Sequence, residues 1–247
     1  MIQPVASRRH AIADDLRNQI STGRIAAGER LPSESELASH YKVSTPTLRN
    51  ALAILQAEGL VEKIHGKGNF VRRRLRRLTY VGGGRLTDAW SGAEEPLRVT
   101  ISATNIKARR DLAALLGVSA RTTLTEFVCL SYEGNQPHSL ARIYVPRDLA
   151  PTDLTDGAPW RERVEERLAE LCPPLVEIRE TVGARCPTPE EASTLRISSA
   201  LAVLAITRVA ADIAGRVVEA AVLVLPGDRA DAVFTTHHTT EGKGKEG

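Results

Sequence analysis

Apolar residues near the start of the chain recur at helical spacing. Ile12, Leu16 and Ile20 repeat every four residues, and Gly23 follows them. This repeat is typical of an amphipathic helix, and a glycine just beyond it is a common helix end. The pattern therefore predicts a first helix from about residue 7 to residue 22.

Two shorter helices follow in close succession. Ser33 and Glu36 have the spacing of a capping box, which satisfies free backbone donors where a helix begins. Ser44 can cap the next helix, and Pro46 is tolerated in its first turn. The apolar stripe of that helix comprises Leu48, Ala51, Leu52, Leu55 and Leu60, and its opposite face carries Thr45, Thr47, Arg49 and Asn50.

A small β-hairpin comes directly after these helices. Residues 60–64 and 69–71 alternate as strands around the turn His65-Gly66-Lys67-Gly68. Two helices joined by a tight turn are typical of a helix-turn-helix, whose second helix enters the DNA major groove. A basic hairpin beyond it is suited to phosphate or minor-groove contact, as a wing.

The same region contains LPSE-x-ELA, VS-x-x-T-[VL]-R-x-AL, L-x-x-EGL and G-x-G-x-FV at matching spacing. It therefore resembles the winged helix of the GntR family of bacterial transcription regulators. The resemblance implies DNA contacts, either to bases or to phosphates, from Ser35, Thr45, Thr47, Arg49, His65, Gly66 and Lys67. Relatives usually carry arginine where this chain has Ser35 and Thr45. We expect these two departures to alter the operator and to weaken binding unless other cations compensate.

From residue 97 onward the pattern changes to longer strands with helices between them. The predicted strands span residues 99–103, 122–132, 139–145, 176–184, 202–212 and 216–225, and the helices span 109–116, 160–172 and 189–195. Strands connected by hairpins, with interspersed helices, indicate an α+β domain built on an antiparallel sheet.

This second part resembles the UTRA effector-binding domain of the HutC branch of the GntR family. The supporting motifs are Glu190-Glu191-Ala192 with Leu195, residues 204–208, Asp212 with Gly215, Val218-Glu219, and Gly227-Asp228-Arg229. The resemblance implies a chorismate-lyase-like fold, a ligand pocket on the sheet and dimerisation through this domain.

The candidate effector-binding residues are Cys129, Ser131, Arg142, Arg208 and Glu219. Relatives tend to carry an Arg-x-Arg pair where this chain has Cys129 and Ser131, and a carboxylate where it has Ala141. We therefore do not expect two arginine side chains to bind an anionic ligand here, and we expect a neutral or more apolar ligand instead. Structural ion pairing is the alternative role for Arg142, Arg208 and Glu219.

The net charge of the chain differs between the two regions described above. Residues 1–78 carry 14 Lys and Arg against 7 Asp and Glu, a net +7, whereas the remainder is net −4, which gives +3 overall. This asymmetry is typical of a nucleic-acid-binding domain attached to a second domain. We predict a winged helix-turn-helix over 1–78, a linker over 79–96, the effector-binding and dimerisation domain over 97–236 and a disordered tail over 237–247. The arginine-rich segment 72–77 is either solvated or in contact with phosphates.

Several classes of protein are not expected. Cys129, Cys172 and Cys186 are far apart, which favours isolated buried thiols over a metal site or a disulfide framework. Neither a membrane-spanning apolar run nor a signal peptide is evident, so a cytoplasmic protein is expected. No nucleophile–base pair, metal cluster or cofactor loop is recognisable, so we predict no catalytic residues, no metal and no cofactor.

These features together predict a homodimeric repressor that binds a palindromic operator in double-stranded DNA. A small-molecule effector bound in the C-terminal domain would release the repressor from that DNA. The first alternative is a plasmid-type repressor whose C-terminal domain only dimerises, without a ligand. The second is an enzyme built on the chorismate-lyase-like domain.

Overall fold

The computed structural model describes residues 5–64, 66–73, 75–82, 97–150 and 175–235. The N-terminal part contains helices α1 (Val5–Ser21), α2 (Glu34–His40) and α3 (Thr45–Ala57). An antiparallel hairpin of β1 (Val61–Ile64) and β2 (Gly68–Val71) follows them. The predicted winged helix-turn-helix is therefore present.

Local chemistry explains where α2 and α3 begin. The Ser33 hydroxyl accepts a hydrogen bond from the Glu36 backbone N–H, and the Glu36 carboxylate accepts one from the Ser33 backbone N–H at 2.8 Å. The Ser44 hydroxyl caps α3 by accepting from the Thr47 N–H. Buried apolar side chains of all three helices and the hairpin then form one core: Ile12, Ala13, Leu16, Leu31, Leu37, Ala38, Leu48, Ala51, Leu52, Leu55, Val61 and Val71.

The C-terminal part is a six-stranded antiparallel sheet. Its strands are β4 (Arg98–Lys107), β5 (Thr123–Glu133), β6 (Gln136–Pro146), β7 (Leu175–Arg185), β8 (Val203–Asp212) and β9 (Val217–Pro226), in the order β4-β5-β6-β9-β8-β7. Helices α4 (Arg110–Leu116) and α5 (Pro189–Leu195) cover one face of this sheet. The α+β class predicted from the hairpin pattern is confirmed.

The two faces of the sheet have separate apolar clusters, because side chains alternate along each strand. On the helix-covered face, Leu116 of α4 and Leu195 of α5 pack on the sheet. On the opposite face, Phe127 and Leu223 form a cluster with Tyr80. Tyr80 comes from a strand that the sequence pattern did not predict.

That strand is β3 (Leu78–Val81), which pairs in parallel with β10 (Ala230–Val233). The predicted linker over 79–96 therefore begins with residues 79–81 of a paired strand, in which Tyr80 is buried. Both strands have only four residues, too few for their alternation to be recognised from the sequence. Residues 83–96 of the predicted linker, the predicted helix over 160–172 with Cys172, and the predicted tail over 237–247 lie outside the described residues.

Candidate nucleic-acid interface

Helix α3 buries one side and exposes the other near its first turn. Leu48 and Leu52 are 0% and 2% exposed in the core, so the opposite side faces away from the domain. Arg49 is exposed there, and Thr45 and Thr47 are half-buried. The Thr47 hydroxyl lies 2.9 Å from the Ser44 hydroxyl, so it also takes part in the cap that begins the helix.

A concave groove lies between the first turn of α3, the start of α2 and strand β1. Its polar lining includes the side chains of Arg30, Glu34, Ser35, Thr45, Arg49 and Lys63. The structure thus brings together three predicted DNA-contact residues with three others. We call this concavity the recognition groove.

The charges of the recognition groove are organised around one carboxylate. Arg49 donates from Nε to Glu34 Oε2 at 2.5 Å, and Lys63 donates from Nζ to Glu34 Oε1 at 3.3 Å. The hydrogen bond from Arg49, more than the contact with Lys63, lowers the pKa of Glu34. Sequence reasoning missed Glu34 and Lys63 as site residues. Glu34 does belong to the LPSE motif, which was the one signal available.

The hairpin tip lies beyond this groove. Gly66 and Lys67 are exposed, and the Lys67 N–H closes the turn by donating to the Ile64 carbonyl at 3.0 Å. Gly66 has φ +72° and Gly68 has φ +110°, so this turn needs residues that tolerate left-handed backbone. His65, the remaining residue predicted at the tip, lies outside the described residues.

One partly buried hydrogen bond holds the hairpin to helix α3. Asn69 of β2 is 4% exposed, and its side-chain oxygen accepts from Gln56 Nε2 of α3 at 3.2 Å. The hairpin and α3 are therefore fixed to each other by polar as well as apolar contacts.

The arginine-rich segment after β2 contacts the C-terminal domain. Arg72 donates to Asp228 at 2.5 Å, and Arg77 donates to Asp231 through two nitrogens at 2.5 and 2.7 Å. The backbone N–H of Arg76 donates to the Glu133 carboxylate at 3.0 Å. These three residues therefore contact the C-terminal domain, although the Arg77 side chain is still 51% exposed. Arg74 lies outside the described residues.

The five candidate effector residues do not form one site. Arg142 lies on the helix-covered face, where it pairs with Glu126 at 3.1 Å and with Glu190 of α5. The other four, Cys129, Ser131, Arg208 and Glu219, lie on the opposite face. Arg142 lies on the other face from Cys129 because its position in β6 has the opposite parity to Ala141, which pairs with Cys129.

Cys129 and Ser131 are 5% and 3% exposed. Ser131 donates to the Ser139 backbone carbonyl at 3.1 Å and also contacts the Ser139 hydroxyl. Cys186, in contrast, is exposed, so the expectation that the thiols are buried is wrong there.

Arg208 and Glu219 belong to a buried polar cluster that also contains Glu180 and Tyr80. Arg208 donates to Glu180 at 3.2 Å, its Nε lies 3.7 Å from Glu219 Oε1, and the Tyr80 hydroxyl donates to Glu180. Burial raises the pKa of Glu219, and the opposing effect of Arg208 is smaller. The ion pairs fit the structural alternative for Arg208 and Glu219. Tyr80 was missed because β3 was not predicted.

In the part of the chain that the structure describes, no three His, Cys, Asp or Glu side chains are grouped so that they would hold a metal ion. None of the described helices is both long and apolar enough to cross a membrane.

Comparison with known proteins identifies both halves. Residues 8–71 match the family described as bacterial regulatory proteins, gntR family, and residues 94–231 match the UTRA domain. An HTH-type transcriptional regulator of Rhizobium meliloti is 30% identical over 84% of this chain and 86% of its own length. The HTH-type transcriptional repressor NagR of Bacillus subtilis is 27% identical over 89% and 90%. A crystal structure of a GntR-family transcriptional regulator superposes with a TM-score of 0.56 at 26% identity, covering 96% of this chain and 99% of that one.

Proposed function

Since this chain belongs to the GntR family of bacterial regulatory proteins and carries a UTRA domain, we propose that it is a dimeric repressor released from a palindromic operator by a small molecule. The coarser function, a DNA-binding transcriptional regulator that is not an enzyme, follows from the family itself. One observation carries the proposal most directly: the exposed first turn of α3 stands beside a groove lined by several cations.

The DNA side of the proposal rests on shape and charge. In helix-turn-helix proteins the first residues of the second helix contact base edges, and Thr45, Thr47 and Arg49 occupy those positions. Ser35 adds a hydroxyl to the recognition groove of the protein. Lys67, at the hairpin tip, would contact the DNA phosphates or the DNA minor groove. His65 and Gly66 complete the proposed wing contact.

Dimerisation is proposed through the C-terminal domain. Two copies related by a two-fold axis would place two recognition helices on half-sites of matching symmetry. The relative NagR is named a repressor, which supports the same sign of regulation here. Action on the chromosome would place this protein in the cytoplasm.

A ligand can release the repressor only if it binds more tightly to the domain arrangement that does not fit the operator. The polar cluster of Arg208, Glu219 and Glu180 supports a site on the face opposite α4 and α5, because buried charges there can recognise polar groups of a ligand. The ion pairs between residues 72–77 and the C-terminal domain supply a route from that domain to the wing.

A second candidate is a ligand-independent repressor. It is favoured by the small, buried side chains of Cys129 and Ser131, where relatives tend to carry a pair of arginines. In this case the C-terminal domain would serve dimerisation alone.

The test is a titration of the purified protein onto its own promoter fragment and a scrambled duplex of equal length, at several salt concentrations. We expect tighter binding to the promoter at every salt, with a log–log salt dependence that reports the phosphates contacted. Equal binding to both duplexes would contradict sequence-specific regulation.

Light scattering measures the molar mass in solution and so tests the proposed dimer. Screening metabolites for a raised melting temperature separates the two candidates, because a ligand that binds only the folded state stabilises it.

A further inference from the structure

We propose that Glu34 is a positioning residue that holds Arg49 for bidentate donation to a guanine in the major groove. The proposal rests on the proposed operator-binding function and extends it to one base of the half-site. It assigns a role in DNA recognition to the one carboxylate among the cations of the recognition groove.

The geometry places the carboxylate behind the guanidinium group. The side chain of Glu34 is 19% exposed, whereas that of Arg49 is 63% exposed. Glu34 accepts from Arg49 Nε at 2.5 Å, and no other Arg49 hydrogen bond occurs among the described residues. The two terminal Nη groups are therefore left for an external acceptor.

Those two groups match the acceptors of guanine. The N7 and O6 atoms of guanine lie side by side on the major-groove edge, and paired N–H donors from arginine are the commonest specific contact to them. A guanidinium group tethered at Nε loses less conformational freedom on binding, because its plane is already set. A phosphate contact needs no such orientation.

The contact between Glu34 and Lys63 offers a structural role for the carboxylate that a variant of Lys63 can separate from the proposed one. Lys63 Nζ donates to the other Glu34 oxygen at 3.3 Å, so Glu34 also ties strand β1 to helix α2. Lys63 is 58% exposed, and the longer contact predicts a weaker tie. If Glu34 acts through Arg49, removing Lys63 leaves base preference unchanged.

The experiment uses the full-length protein and three variants. Glu34→Met keeps the side-chain length but removes both the charge and the oxygen acceptors, whereas Glu34→Gln keeps one acceptor oxygen and removes the charge. Lys63→Met is the matched control. The dissociation constant of each is measured for the promoter operator, for operators with each G·C pair replaced in turn by A·T, and for a scrambled duplex.

We expect E34M and E34Q to bind the scrambled duplex equally, and at least as tightly as the unmodified protein, because both lose a negative charge. At one G·C position, E34M should lose about tenfold of the preference, a typical value for one bidentate contact. E34Q should retain part of that preference. K63M removes a cation from the same groove, so it should weaken binding to all duplexes by a similar factor while retaining the G·C preference.

The double variant E34M/R49A provides the decisive comparison. If Glu34 acts through Arg49, R49A loses the same G·C preference, and adding E34M changes it no further. R49K leaves Glu34 in place and should lose that preference too, which checks that the preference comes from Arg49. E34Q, which keeps one acceptor oxygen, tests the role of Glu34 if E34M folds poorly. Equal weakening of all duplexes by E34M, or a further loss of preference in the R49A background, would overturn the proposal. An unmodified protein that does not distinguish the operator from the scrambled duplex would instead refute the proposed function.

Discussion

Arg72 donates from Nη1 to Asp228 Oδ2 at 2.5 Å, and so joins the residue that follows the second wing strand to the C-terminal domain. The two side chains are 10% and 21% exposed, so the pair is shielded from water on most sides. Burial raises the pKa of Asp228, and the Arg72 cation opposes that rise. The contact therefore couples the two domains through an ion pair that is largely shielded from water.

Replacing Arg72 should destabilise the protein more than replacing its exposed neighbour Arg73. Arg72→Met removes the shorter of two ion pairs of Asp228, which keeps its contact with Arg229 Nε at 3.1 Å. We expect this change to lower the free energy of unfolding by about 2 kcal/mol, since hydrogen bonds to charged groups contribute at this level. Denaturant unfolding followed by circular dichroism gives the value. Arg73→Met is the control. Equal small effects of both variants would show that the pair does not couple the domains energetically.

Gly59 should not tolerate a side chain, for two separable reasons. Its φ is +72°, and an added Cβ would lie 3.0 Å from Asp228 Oδ2 and 3.1 Å from Asp228 Cβ. Gly23 has a similar φ of +74° with no atom within 4 Å of such a Cβ. Gly23→Ala should therefore cost about 1–2 kcal/mol from backbone strain alone. Gly59→Ala should cost about 1–3 kcal/mol more from overpacking against Asp228.

The comparison of these two alanine variants is made by denaturant unfolding under identical conditions. A Gly59→Ala cost no larger than that of Gly23→Ala would mean that Asp228 moves away freely. That outcome would argue against a close contact between the two domains.

His138 should make stability fall in mildly acidic solution. It is 1% exposed, its Nε2–H donates to the Arg76 carbonyl at 2.8 Å, and its Nδ1 has no hydrogen-bond partner among the described residues. Burial lowers the pKa of His138, and the nearby Glu133 and Asp228 carboxylates only partly oppose this. The folded protein therefore holds the neutral ring.

The direction of this pH dependence follows from the difference in proton uptake between the folded and unfolded chains. Below about pH 6.5 the histidine of the unfolded chain gains a proton that the folded one resists, so unfolding is favoured as the pH falls. The stabilising contribution is present above that pH and is lost as the pH falls toward the lowered pKa. Urea unfolding at several pH values between 5.5 and 7.5 measures the slope, which for one proton reaches at most about 1.4 kcal/mol per pH unit. His138→Gln should flatten the curve, whereas the exposed His40→Gln should not. Unchanged slopes in His138→Gln would contradict the assignment.

Lys67 at the hairpin tip should contribute a phosphate contact without base preference. We expect Lys67→Ala to weaken operator and scrambled duplexes by a similar factor and to reduce the slope of log K against log salt by about 1. Binding isotherms at four salt concentrations measure both quantities. Lys107→Ala, in an edge strand of the C-terminal domain, is the control. A loss confined to the operator would instead indicate base contact by Lys67.

Sequence reasoning was most successful where a pattern repeats or a motif is dense. The stripe around Leu48 and Leu52, the caps at Ser33 and Ser44, and the alternation of β5 and β9 are all local. Each depends on the period of a helix or strand or on hydrogen bonds between close neighbours. They were sufficient to predict the winged helix and the antiparallel sheet, and the resemblance of the dense motifs to a known family indicated the regulator family.

Only the tertiary structure decided which distant groups meet. Glu34 and Arg49 are 15 residues apart, and Arg72 and Asp228 are 156 apart. Their pairing depends on how whole elements pack, which no local period encodes. The same holds for Arg142 and Arg208, two arginines of the same sheet that one step of strand parity places on opposite faces. The sequence by itself therefore determined the elements and the family. The arrangement of charges around the DNA-binding surface came from packing, because the electrostatic interactions of folded side chains depend on distance in space and on burial.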